Sequence, residues 1–210
     1  MKKIHDDAAP GDGMYPQISE ALAVVLEHIV PAMFKAQQPW ALMGSLASVL
    51  QGMPGYSPPD IDLVTTMEGA YIMEGAISAC GATVRPVQKS SAGPYTSYFG
   101  IFEVNSIKVE VMGDLVIQCE DGALTATDHF SRWSDKVRVL HFANSHIPVV
   151  PLEWQLVANA LLRRPERVAG CAKRLLDAGY DRAYLDLLLE DQKYGARTLR
   201  TVREALHIDC

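Results

Sequence analysis

The chain has 210 residues, of which 49% are apolar, and a formal net charge of −6 at pH 7. That length suits one large domain, or a medium domain with a small appendage, and the apolar share excludes a chain disordered by composition. The negative balance excludes a broad electrostatic grip on nucleic acid; residues 1–150 carry 16 acidic and 9 basic side chains, while residues 151–210 carry 9 and 10, which leaves room for a local basic surface there.

Residues 1–14 read as a loose tail broken by Gly11, Asp12 and Gly13. Ile18, Leu22, Val25, Leu26 and Ile29 then recur at helical spacing, which predicts an amphipathic helix ending near Pro31. Trp40–Met43 is a short apolar run expected to be a buried strand, followed at once by Gly44-Ser45 and a helix over 46–50, with Ser45 as a possible N-cap. Gly52, Pro54, Gly55, Pro58 and Pro59 form a stiff loop. Residues 60–64 alternate polar and apolar, the pattern of a strand with one wet face. Thr65 and Glu68 match a capping box for a helix reaching about Cys80, with Gly81 as its terminator. A strand is expected over 82–87, a loop over 89–94, and a β-hairpin from 98–104 and 107–112 turning at Asn105-Ser106. A further strand pair falls around 137–142 and 147–150.

The pattern becomes helical at Pro151. Leu152, Leu156, Ala160 and Leu161 make one stripe; Pro165 fits the first turn of a second helix and Gly179 its C′ position; Asp181 can cap a third helix carrying Tyr184, Leu187 and Leu188; a last helix covers roughly 197–206. The expected organisation is an α/β (α+β) part over 1–150 and a helical part over 151–210. Cys80, Cys119, Cys171 and Cys210 are far apart without a C-x-x-C pair, so reduced thiols are expected. The N-terminus lacks the apolar core of a secretory signal, and no apolar run approaches the ~20 residues that span a bilayer, so a cytoplasmic protein with no membrane partner is expected.

P-loop, nucleophile-elbow, zincin and dinucleotide-binding motifs are missing, and His141 and His146, flanking a turn, read as polar surface. The strongest constellation lies in residues 40–66. On a strand, residues i and i+2 share a face, so Asp60 and Asp62 are adjacent while Ile61 and Leu63 point to the core. Carboxylates that close repel one another unless a cation lies between them, and hard oxygen ligands suit Mg²⁺ or Mn²⁺. A lone D-x-D is more often a solvated strand face. Gly44-Ser45 adds a place where a ligand can approach the backbone and a helix start that attracts phosphate. On the second strand of the hairpin, Lys108, Glu110 and Met112 share one face and Val109 and Val111 the other, which makes Glu110 a third candidate acid, with Glu103 as its rival and a surface glutamate as the alternative. Lys89, in its loop, offers a further phosphate contact; a solvated loop lysine is the plainer account.

Gly44-Ser45, then Asp60-Ile61-Asp62-Leu63, then Glu110 within Val109-Glu110-Val111 resembles the nucleotidyltransferase superfamily with the DNA polymerase β-like fold, in particular the small bacterial branch with antibiotic nucleotidyltransferases and the nucleotidyltransferase-like proteins of toxin–antitoxin systems. The resemblance covers most of residues 38–190. It implies a mixed sheet with flanking helices followed by a C-terminal helical bundle, with a catalytic domain over 1–150 and a helical domain over 151–210. It also implies transfer of a nucleoside monophosphate from an NTP to a hydroxyl acceptor (a small molecule, a protein side chain or an RNA end). Asp60, Asp62 and Glu110 would be catalytic and hold Mg²⁺ or Mn²⁺, and Gly44, Ser45 and Lys89 would bind the nucleotide. The alternative from the same branch is a non-catalytic module acting through a cognate toxin or antitoxin partner, and a homodimer is compatible with either. Many relatives carry Arg-Pro-Lys-Asp where this chain has Arg164-Pro165-Glu166-Arg167, so the role of that Lys-Asp pair does not carry over.

Overall fold

A computed structural model describes residues 18–143, 145–191 and 194–208; the tail expected over 1–14 and Cys210 lie outside them. The elements are α1 (Glu20–Lys35), β1 (Trp40–Met43), α2 (Gly44–Leu50), β2 (Ile61–Thr65), α3 (Met67–Ser78), β3 (Ala82–Ala92), β4 (Tyr95–Val104), β5 (Ile107–Cys119), β6 (Gly122–Thr125), β7 (Arg138–Phe142), β8 (Ser145–Val149), α4 (Leu152–Leu161), α5 (Pro165–Ala178), α6 (Arg182–Asp191) and α7 (Ala196–Ala205), with a 3₁₀ turn at Thr127–Phe130. The strands form one mixed sheet in the order β3-β4-β5-β2-β1-β8-β7, and β6 pairs with the far half of β5. The mixed sheet with flanking helices is the expected fold class.

Each face of the sheet has its own apolar core. Alternation in β2 and β5 sends Ile61, Leu63, Val109 and Val111 to one face, under α1 and α3. Val64, Met112, Leu115 and Ile117 lie in the other core, with Trp154, Leu156 and the remaining C-terminal helices. The stripe expected on α4 understates its burial. All ten residues of α4 are buried, because it packs against α5, α6, α7 and β6 at once. Beyond Pro151 the described residues form helices and one isolated bridge, Gly122 to Tyr194. Among the described residues no helix is long and apolar enough to cross a membrane, and Cys80, Cys119 and Cys171 are free thiols.

Several local expectations shift. α1 runs through Pro31 to Lys35, since that proline is solvent-exposed and Met33, beyond it, is buried in the core. α3 is capped by Thr66, whose Oγ1 accepts from Gly69 N at 3.0 Å; Thr65 stays in β2 and donates to the Pro39 carbonyl at 2.6 Å. Ser45 is no cap: Met43 holds that position without a side-chain hydrogen bond, and Ser45 is buried in the first turn. Pro165 does open α5, Gly179 closes it at φ 82°, and Asp181 Oδ1 accepts from Tyr184 N at 2.9 Å.

A polar pair is sealed under α4 and α6. His129 Nδ1 faces the Ala126 carbonyl at 3.1 Å, which can only accept, so Nε2 accepts from the Tyr184 hydroxyl at 2.7 Å. Burial pushes His129 down to about 4, which keeps the ring neutral near neutral pH. Tyr184→Phe should therefore leave Nε2 buried without a donor and cost about 1–3 kcal/mol, read as a lower denaturant midpoint at pH 7. An unchanged midpoint would mean that the hydroxyl contributes nothing to the fold.

Candidate active site

β2 and β5 run parallel and adjacent, in a register that sets Asp62 beside Glu110, Ile61 beside Val109 and Leu63 beside Val111. The apolar members of these pairs are fully buried, so the two acids are fixed on the opposite face. Asp60 stands one residue before β2 and reaches the same spot. One carboxylate oxygen from each of Asp60, Asp62 and Glu110 lies within 4.8 Å of the others. Glu103 remains exposed on β4, across from Lys108, outside this group.

Lys108 completes the cluster. Two residues before Glu110 and on its face, its Nζ lies 2.7 Å from Asp60 Oδ2 and 2.8 Å from Glu110 Oε1. Partial burial works against the ammonium, but the hydrogen bonds to Asp60 and Glu110 prevail and hold it above its ordinary range. Asp62 has the opposite circumstance. Burial, then the charges of Asp60 and Glu110, push it up to about 8, with Lys108 offsetting only part. Sequence alternation already places Lys108 on the acidic face; its function as the cation there depends on a distance that alternation does not give.

Gly44 forms the wall beside Asp62. β1 pairs with β2 so that Met43 opposes Asp62, and the chain turns into α2 at Gly44 with φ 71°. A methyl group on Gly44 would overlap Asp62 Oδ2. From Gly44 and Ser45 a cleft continues between the sheet and the C-terminal helices, lined in addition by Ser48, Asn159, Arg164 and Arg167. Ser48 Oγ is 3.0 Å from both the Gly44 carbonyl and Gln155 Oε1, which ties the turn to α4. Arg164 donates to the Tyr95 hydroxyl at 2.6 Å and Arg167 to the Tyr56 hydroxyl at 2.7 Å. These two arginines begin and end the Arg-Pro-Glu-Arg run, and their presence in the cleft requires tertiary structure to see.

The expected phosphate contact from Lys89 is corrected. Residues 89–92 continue β3 rather than forming a loop, and the register sets Lys89 opposite Tyr98, itself opposite Gly113. A methyl group on Gly113 would meet Ala70 and Met67 of α3, so this row lies on the α3 face, away from the carboxylates. The β-strand period thus turns Lys89 to the wrong side.

The sequence profile of the aminoglycoside-2''-adenylyltransferase family matches residues 25–170. No curated protein matches the chain by sequence. Among solved structures, a nucleotidyltransferase from Thermotoga maritima is similar with a TM-score of 0.62 and 30% identity, covering 79% of this chain and 99% of its own. The antibiotic-resistance factor ANT(2'')-Ia matches at 12% identity and a TM-score of 0.46, over 89% of this chain and 91% of its own. A nucleotidyltransferase-like protein from Paracoccidioides brasiliensis matches at 15% and 0.49, over 93% and 97%. The profile match spans most of the chain and contains Gly44, Asp60, Asp62 and Glu110, and the Thermotoga protein is similar over nearly its whole length; the chain is a nucleotidyltransferase belonging to the aminoglycoside-2''-adenylyltransferase family.

Proposed function

We propose that the protein transfers a nucleoside monophosphate from an NTP to the hydroxyl of a small molecule, and that Asp60, Asp62 and Glu110 hold the divalent ions, Mg²⁺ or Mn²⁺, that the reaction requires. The convergence of the three carboxylates carries the reading. The donor set fits: all its atoms are hard oxygens, they come from strands fixed by buried neighbours, and Asp62 is in an environment that disfavours its charge until a cation arrives. When bound, divalent ions would neutralise charge on the phosphoryl oxygens and favour loss of the acceptor's proton. In the balanced reaction the acceptor oxygen bonds to the α-phosphorus, the bond from that phosphorus to the bridging oxygen breaks, the hydroxyl proton leaves and pyrophosphate departs.

The chain's own groups divide the remaining work. The Gly44 backbone, with no side chain to bar approach, and Ser45 line the route by which phosphates reach the acids. Arg164 and Arg167 supply positive charge to the same cleft, oriented by the tyrosines they bond. ANT(2'')-Ia has been seen with adenylyl-2''-tobramycin; for this chain, the acidic balance of residues 1–150 favours a compact acceptor over long nucleic acid.

NTP together with Mg²⁺ should raise the melting temperature. At a hundred times the dissociation constant, binding adds ~2.7 kcal/mol, worth roughly 5–10 °C for a chain of this size. NTP without Mg²⁺ should give much less, and labelled nucleotide should appear on a hydroxylated acceptor. A melting temperature indifferent to Mg²⁺·NTP would instead favour a module that acts only by binding a partner, and would remove the metal assignment.

A further inference from the structure

Lys108 makes ion pairs with two of the three acids proposed to hold the metal, and this inference rests on that assignment. Its ammonium lies between Asp60, just before β2, and Glu110 on β5, which have no other cation within ion-pairing distance among the described residues. A single ammonium contacts both carboxylates, so a divalent ion held by all three acids would have to displace it from two of them. The side chain is 47% exposed, so it can swing outward without opening the core. Its attachment is firm, since Val109 and Val111 on either side of Glu110 are fully buried and fix the strand.

We propose that Lys108 is an exchangeable counter-cation that closes the carboxylate site to a free divalent ion and yields it to an ion arriving with a nucleotide. The reason is electrostatic competition. A divalent ion alone must displace the ammonium from Asp60 and Glu110 and leave it without an anion. A nucleotide brings phosphate oxygens that add ligands to the ion and give the displaced ammonium a new partner. Metal and nucleotide therefore bind cooperatively, and Lys108 is the positioning residue that couples them.

The test uses Mn²⁺ alone and Mn²⁺ with a non-hydrolysable NTP analogue, with binding read by calorimetry on the full chain. Lys108→Met should tighten Mn²⁺ binding in the absence of nucleotide by about tenfold or more, the equivalent of ~1.4 kcal/mol, because the ion no longer competes with a unit positive charge in contact with two of its ligands. With the analogue present, the difference between Lys108→Met and the parent should shrink or reverse. Lys108→Arg keeps the charge and should bind Mn²⁺ alone as weakly as the parent, which guards against an effect of misfolding. If the parent binds Mn²⁺ and Lys108→Met binds it equally or more weakly without nucleotide, the exchange is refuted while the carboxylate site stands. If no variant binds Mn²⁺ under either condition, the carboxylate assignment fails and the exchange fails with it.

Discussion

Asp62→Asn should abolish nucleotidyl transfer and yet leave the protein, without added metal, at least as stable as the parent at pH 7 and more stable at pH 8.5. A carboxyl pushed up to about 8 holds its proton more tightly folded than unfolded. Between its unfolded value near 3.8 and about 8, the native state binds more protons, so stability falls as pH rises through that window. Asparagine mimics the neutral acid: it keeps a donor toward Glu110 and never acquires the charge. The parent's decline with pH should accordingly be shallower in the variant, and the two stability curves should separate by an amount on the order of 1–3 kcal/mol at alkaline pH. Denaturant melts at pH 5, 7 and 8.5 check the stability half, and turnover of labelled NTP checks the catalytic half. Asp60→Asn should differ. Its carboxylate is paired with Lys108 at 2.7 Å, so that variant should lose activity and also up to about 1 kcal/mol of stability, an amount limited by the lysine's exposure. Parallel behaviour of the two variants would contradict this division of labour between the aspartates.

Gly44→Ala should cost about a hundredfold or more in kcat/KM. Two penalties combine at this position. The backbone sits at φ 71°, a left-handed conformation costing a residue with a Cβ roughly 1–2 kcal/mol. The added methyl would also occupy the space of Asp62 Oδ2, so either the turn or the carboxylate must move. A displacement of about 1 Å in a catalytic group is enough for a loss of this size. Kinetics with saturating Mg²⁺ and a thermal melt separate the parts: strain alone lowers stability, whereas displacement of Asp62 lowers turnover and weakens metal binding. An alanine variant with parental kcat/KM would show that Asp62 does not need the contact with Gly44.

The acidic cluster was legible because strand alternation is a rigid rule. Ile61 and Leu63, Val109 and Val111 are plainly core residues, and the polar residues between them have nowhere to point but the other face. The hairpin turn was legible for a similar reason: Asn105 and Ser106 take φ 49° and 62°, a pairing that few residues tolerate. What failed was local punctuation read without tertiary context. Lys89 to Ala92 has the composition of a loop, yet β4 supplies a partner and the strand runs through, carrying Lys89 to the far face. β5 was cut short at Met112 because Asp114, at φ 48°, interrupts the alternation, so that Leu115 and Ile117 face the core opposite to that of Val109 and Val111. Arg164 and Arg167 joined the site only through the packing of α4 and α5 on the sheet, and no spacing in the chain encodes that.

The buried α4 has a bearing on protein engineering. Specificity in two-part enzymes is often altered by exchanging one part for a homologue's, and Pro151 looks like a natural seam, since strands precede it and helices follow. Yet Leu152 to Leu161 supplies the inner lining against which Ala41, Val64, Leu115 and Ile117 pack, and the family profile itself runs across the seam to residue 170. A chimera joined there would set two surfaces together that were never matched to one another. A junction in the loop between α4 and α5 meets the same obstacle, since α4 also packs against α5, α6 and α7 and the profile runs past that loop as well, so the sheet and its C-terminal helices are best exchanged together.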